Sequence, residues 1–214
     1  MIRPFLLTLC GLTASALTTV HAHSVWIESS DNQLMIRFAE PGEDFEKSPG
    51  QLDNLSAPIA FTFATNKPAR VVVTKKTDGF LLLGASPTNV TCAETVFTVR
   101  GGRKPNFYAR WQPAGLSAAK PSLTLDLVPT GKPGEVRVYF RSQPLGGVAA
   151  TLRTPDGKDA ELTTDAEGFL HFEPKQSGQY LLTVPHYRET LAGFYGGTAY
   201  AETSHNASLC WKQP

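Results

Sequence analysis

The 214-residue sequence sets 20 Lys and Arg against 19 Asp and Glu. That leaves no cationic surplus to hold nucleic acid or an anionic membrane surface, both of which attract clustered basic side chains. Its 18 Gly and 16 Pro, with apolar residues in short runs, point to an all-β chain of many strands and turns. No stretch after residue 22 approaches the ~20 apolar residues that a membrane-spanning helix requires.

Residues 1–22 have the three parts of a secretory signal peptide. Arg3 supplies the basic start, Phe5 to Ala16 the apolar run, and Val20-His21-Ala22 the cleavage region. A cut after Ala22 makes His23 the first residue of a periplasmic or secreted protein. It also removes Arg3 from the 20 basic residues, leaving 19 against 19 acidic ones. Two other cuts stay open. One, after Ala16, leaves His23 inside a tail; the other, after Val20, starts the chain at His21-Ala22-His23, where a third-position histidine and the free amine also grip copper or nickel. With His23 first, the α-amine and ring Nδ1 can close a six-membered chelate on one metal ion. Imidazole nitrogen suits copper, nickel and zinc.

Alternation of Leu34, Ile36 and Phe38 predicts a half-buried strand over 33–39. The acidic segment from Glu40 to Leu55 reads as a solvated loop with room for one short helical turn. Strands follow at 59–63, 70–77 and 80–83, the last two joined by Asp78-Gly79, a strong hairpin signal. A further pair, 95–100 and 106–111, flanks Gly101-Gly102. Residues 23–111 thus read as an N-terminal β domain of about seven strands. Residues 112–121 have linker composition. Beyond them, strands at 123–128, 135–142, 147–153, 160–164, 169–173, 179–187 and 198–211 fit an immunoglobulin-like β-sandwich over 122–214.

Cys92 and Cys210 remain after the signal. In an oxidising compartment they read as one disulfide, two unpaired thiols being the alternative. Four histidines remain: His23, His171, His186 and His205. His186 ends the run Tyr180, Leu182, Val184, in phase with its apolar face. His205 shares a face with Ala207, Leu209 and Trp211. Each can be a core-edge histidine with satisfied hydrogen bonds, or a ligand. The metal reading joins His23, His186 and His205, contributed by different segments, with Glu28, Tyr187 and Tyr200 orienting the imidazoles. His171 reads as structural and Trp26 as core. A nitrogen-rich set without thiolate favours Cu(II) or Ni(II) over calcium or magnesium.

The C-terminal run Pro144-Leu145-Gly146-Gly147, Pro155-Asp156-Gly157, Thr163-Thr164-Asp165-Ala166-Glu167-Gly168 and Gly178-Gln179-Tyr180-Leu181-Leu182 resembles exported β-sandwich modules. With His23-Ser24-Val25-Trp26-Ile27-Glu28 and His205-Asn206-Ala207-Ser208-Leu209, the chain after residue 22 resembles a domain-of-unknown-function family. Its members are described as periplasmic components of cobalt/nickel transport systems. The resemblance implies transition-metal binding (nickel, cobalt or copper) for uptake or handling, with a membrane metal transporter as partner, rather than catalysis. Val25 and Ile27 stand where the family commonly has Phe and Leu.

Two other readings compete. A copper-dependent polysaccharide monooxygenase also starts with a chelating histidine on a sandwich, and would need a flat substrate surface around His23. A non-metal adhesion or carbohydrate-binding sandwich needs no histidine site. The sequence shows no nucleophile–base motif, no phosphate-cradling glycine loop and no paired-carboxylate spacing.

Overall fold

The computed structural model describes residues 23–64, 67–113 and 115–214; the expected signal peptide, residues 1–22, lies outside them. Among the described residues the first half holds β1 (Ser24–Ser30), β2 (Gln33–Ala39), β3 (Ile59–Phe63), β4 (Ala69–Lys76), β5 (Gly79–Leu83), β6 (Val90–Val96) and β7 (Arg103–Gln112). The second half holds β8 (Leu125–Pro129), β9 (Glu135–Phe140), β10 (Gln143–Pro144), β11 (Ala149–Arg153), β12 (Asp159–Thr163) and β13 (Phe169–His171). It closes with β14 (Gly178–Glu189), β15 (Gly193–Tyr195), β16 (Thr198–Tyr200) and β17 (Glu202–Gln213). The acidic segment contains one 3₁₀ turn, Gln51–Asn54. No helix among the described residues is long and apolar enough to cross a membrane.

The alternating residues Leu34, Ile36 and Phe38 are buried, as the pattern requires. Asp78-Gly79 turns β4 into β5, with Lys76 opposite Gly79. Several boundaries differ from the sequence expectation, two of them for a visible reason. β6 starts at Val90, because it is paired along both edges, to β3 and to β7. The expected strand 198–211 divides at Ala201, where the N–H groups of Ala201 and Glu202 both turn to the Gly102 carbonyl at 2.9 and 3.3 Å.

One long sheet runs in the order β1-β2-β5-β4-β3-β6-β7-β17-β14-β11-β12. Its first end curls over, so that β1 packs on β7 and β17 and the Ser208 hydroxyl donates to the Val25 carbonyl at 2.7 Å. A smaller sheet, in which β9 pairs with β8, β10 and β13, covers the other face of β17. The result is all-β, two sandwich-like packings around one middle layer, β7 and β17. These two strands pair in parallel from Arg103–Glu202 to Gln112–Trp211. Their alternate side chains feed separate cores. Phe107, Ala109, Trp111 and Cys210 join Ile27, Ile36 and Phe38 in the first. Tyr108, Ala207, Leu209 and Trp211 join Leu125, Val138 and Tyr180 in the second.

This layer decides the fate of the cysteines. The expected Cys92–Cys210 disulfide is not formed; both thiols are free and buried. β7 stands between β6 and β17, which puts the two backbones roughly 9 to 10 Å apart. Cys210 faces the first core, whereas Cys92 is paired with Arg110 and its neighbour Ala93 takes the first-core side. Side chains on opposite faces at that separation cannot be bridged. Burial pushes the Cys92 thiol up to about 12 and Cys210 well above the ordinary range, so neither is a thiolate near neutral pH.

Candidate functional site

β14 does not run straight through His186. Val184 pairs with Ala207 and the next pairing is Tyr187 with His205, so Pro185 and His186 form a bulge. Proline brings no N–H to the ladder and favours such a site. His186 adopts φ +55°, and its N–H donates to Asn206 Oδ1 at 3.0 Å. The bulge inverts the phase that the run Tyr180, Leu182, Val184 implies. Tyr187 packs on the second core, and His186 faces the opposite side of the layer.

There His186 lines a cavity of about 290 Å³ together with His23, Gln51, Arg100, Arg103, Ser204, Asn206 and the rings of Phe38, Phe97 and Phe107. His23, just before β1, rests its ring on Phe38 at 5.1 Å between centroids. Its Nε2 is 2.6 Å from Glu46 Oε1. Its Nδ1 lies 3.6 Å from Glu40 Oε1, beyond hydrogen-bond length. The Glu46 carboxylate thus fixes the ring by one nitrogen and leaves the other facing Glu40. His186 is exposed at the rim, and its pKa is lowered first by partial burial and then by the charges of Arg103 and Arg188.

His205 is elsewhere. It points to the second core, its Nδ1 3.0 Å from the Tyr108 hydroxyl and its Nε2 2.9 Å from Glu189 Oε2. Tyr108 stacks on the ring at 5.8 Å and Phe140 meets it edge-on at 5.0 Å. Both ring nitrogens are occupied and the residue is 4% exposed. The expected trio is therefore corrected to a pair: the structure brings His23 and His186 to one pocket and turns His205 away, because successive positions on β17 face opposite sides. Among the described residues no group of three or more His, Cys, Asp or Glu side chains is arranged to hold a metal ion.

The expected orienting residues also lie away from the pair. Glu28 accepts from Arg37 Nε at 2.8 Å and from Trp26 Nε1 at 3.1 Å. Tyr187 packs on Phe140 at 4.8 Å, and the Tyr200 ring has Lys104 Nζ 5.2 Å from its centroid. The group that does hold His23, Glu46, sits in the segment expected to be a plain solvated loop. His171 is exposed on β13, 3.7 Å from Glu135.

Arg100 and Arg103 were not singled out by the sequence. Gly101 and Gly102 have φ +56° and +72°, the left-handed pair that a two-residue hairpin turn requires and glycine supplies most readily. Arg100 and Arg103 exchange both backbone hydrogen bonds at 3.0 Å, which places the two guanidinium side chains on one face. The pattern Arg-Gly-Gly-Arg carried that signal.

No family model matches this chain, and no curated protein matches it. The FN1–FN3 domains of chicken CNTN1 are a solved structure with which it shares 10% identity, over 89% of this chain and 66% of that one, with a TM-score of 0.22. The chain spans just under two thirds of that structure's length.

Proposed function

We propose that this is an exported, periplasmic or secreted protein that binds a transition-metal ion (nickel, cobalt or copper) at the His23 end of the pocket, for uptake or handling. The observation that carries the reading is the meeting of His23 and His186 in one cavity. The donor set suits such an ion. Glu46 holds His23 Nε2, as carboxylates commonly hold metal-ligating histidines, and the nitrogen left over is Nδ1. With cleavage after Ala22, Nδ1 and the α-amine form the chelate, and His186 supplies another nitrogen. A bound ion would be the cargo, received and released rather than used for chemistry. A membrane transporter fits as the acceptor.

Binding displaces protons from imidazole and amine, whose ordinary pKa values are about 6.5 and 7.7 to 8.0, so it weakens as pH falls through that range. The test is N-terminal sequencing of the exported protein followed by calorimetric titration with Ni(II), Co(II) and Cu(II). Affinity falls tenfold or more with one extra residue before His23 and in His186→Asn, a side chain that tolerates positive φ. His205→Ala leaves it unchanged. Protein that starts at His23 and binds none of the three ions would sink the reading.

A further inference from the structure

The same cavity also carries groups suited to a different ligand. Ser204 is 1% exposed, and among the described residues its hydroxyl has no hydrogen-bond partner; buried Arg103 Nε has none there either. Both residues line the pocket. Two orphaned donors on one wall are unusual, because buried polar groups are nearly always paired. Arg100 and Arg103 also form no ion pair with a carboxylate among the described residues. Arg100 rests its guanidinium carbon 5.2 Å from the centre of the Phe97 ring and bonds Gln51 Oε1 at 3.2 Å. Placing like charges directly opposite each other on a hairpin is unfavourable unless something anionic answers them.

The rest of the wall is apolar. Phe38 stands 5.5 Å from Phe97 and 6.0 Å from Phe107, centroid to centroid. Of the carboxylates nearby, Glu40 and Glu46 lie beside His23, and Glu202, the β17 partner of Arg103, is 3.7 Å from Arg188. A cavity of about 290 Å³ lies at the small end of ligand sites. It is too small for a protein segment with large side chains and adequate for a compact organic molecule.

We infer that this pocket binds a small organic monocarboxylate with an aromatic or aliphatic body. The carboxylate accepts from Arg103 Nε and from the Ser204 hydroxyl, with Arg100 adding charge at the mouth, and the body rests on Phe38, Phe97 and Phe107. A carboxylate has about four acceptor sites and so satisfies both orphaned donors, which a cation or a neutral hydrocarbon does not. The inference stands apart from the metal reading, since none of these groups is a proposed metal donor.

The test uses the exported protein stripped of metal by a chelator, titrated with benzoate, phenylacetate and octanoate, with benzamide as the neutral match to benzoate. At least one carboxylate should saturate a single site, and benzamide should bind at least tenfold more weakly than benzoate if benzoate is the one bound. Arg103→Gln should weaken the carboxylate tenfold or more. Should that variant lose its near-ultraviolet dichroism, Arg100→Gln combined with Ser204→Ala carries the same expectation. One extra residue before His23 should weaken metal binding tenfold or more and leave carboxylate binding intact, so the two readings fail separately. No saturation by any of the three acids, equal binding of benzoate and benzamide, or full affinity in folded arginine variants would overturn the inference.

Discussion

The two faces of the β7–β17 layer hold their histidines in opposite ways. On the second-core face, His205 has a partner on each nitrogen. Arg110 meets Asp126 through two hydrogen bonds, Nε to Oδ1 at 2.9 Å and Nη2 to Oδ2 at 2.6 Å. Asp126 Oδ2 also accepts the Ser122 N–H at 2.7 Å, and Arg110 reaches the Lys120 carbonyl at 3.1 Å, tying the segment after β7 to the layer. On the pocket face, among the described residues, Ser204 Oγ and Arg103 Nε lack hydrogen-bond partners and His23 Nδ1 has only Glu40 at 3.6 Å, while Gln112 Oε1 and Trp211 Nε1, away from the pocket, are also unpartnered. Buried polar groups with partners on every side fix the structure around them. A histidine's surroundings therefore say more about its role than the strand it occupies.

The sharpest way to break this contrast is at the buried ion pair. Asp126→Ala strands a buried guanidinium and should cost about 3 to 5 kcal/mol, read as a lowered urea midpoint with an unchanged slope. A cost under about 1 kcal/mol would mean that the second-core face is not the structural one. Next comes His205→Ala, which removes the imidazole that joins Tyr108 to Glu189, though Glu189 keeps Arg141 at 2.9 Å, and should cost about 1 to 3 kcal/mol. Metal affinity should stay unaltered, while His186→Asn should show the reverse balance. A variant at His205 that lost metal binding while remaining folded would return that residue to the site.

The smallest expected effect is on pH. His205 is held below its ordinary 6.5 first by burial, with Glu189 opposing and Arg141 and Lys104 assisting. The unfolded chain then binds the proton more readily than the folded one, so this contribution to stability is complete above 6.5 and declines as pH falls toward the lowered folded value. Urea midpoints measured between pH 7.5 and pH 5 should fall, and His205→Gln should flatten part of that decline. A flat wild-type profile would show that His205 is not desolvated as its packing requires.

Much of the strand pattern was legible. Alternation at Leu34, Ile36 and Phe38 and the Asp78-Gly79 turn depend on side-chain period and glycine geometry, which are local properties. The 3₁₀ turn within 40–55 also had its local signature, since Asp53 Oδ2 accepts the Gly50 N–H at 2.9 Å. The candidate site was legible only in part. His23 and His186 were expected, but His186 for the wrong reason, since the phase of Tyr180, Leu182 and Val184 put it on the core face. Pro185 was the residue that could have warned of a bulge.

By itself, the sequence determined that the chain is all-β, roughly where its strands lie, and that its histidines come from distant segments. It could not determine which of them meet. That was decided by the parallel register of β7 with β17, which puts Asn206 and Ser204 on the pocket face and His205 on the other. It was decided equally by the one-bulge shift in β14 that turns His186 over. The same register put Cys92 and Cys210 on opposite faces with a strand between them. A strand's alternation is encoded in its own residues. Which face meets which neighbour depends on pairing between segments far apart in the chain, and a single inserted residue inverts the answer.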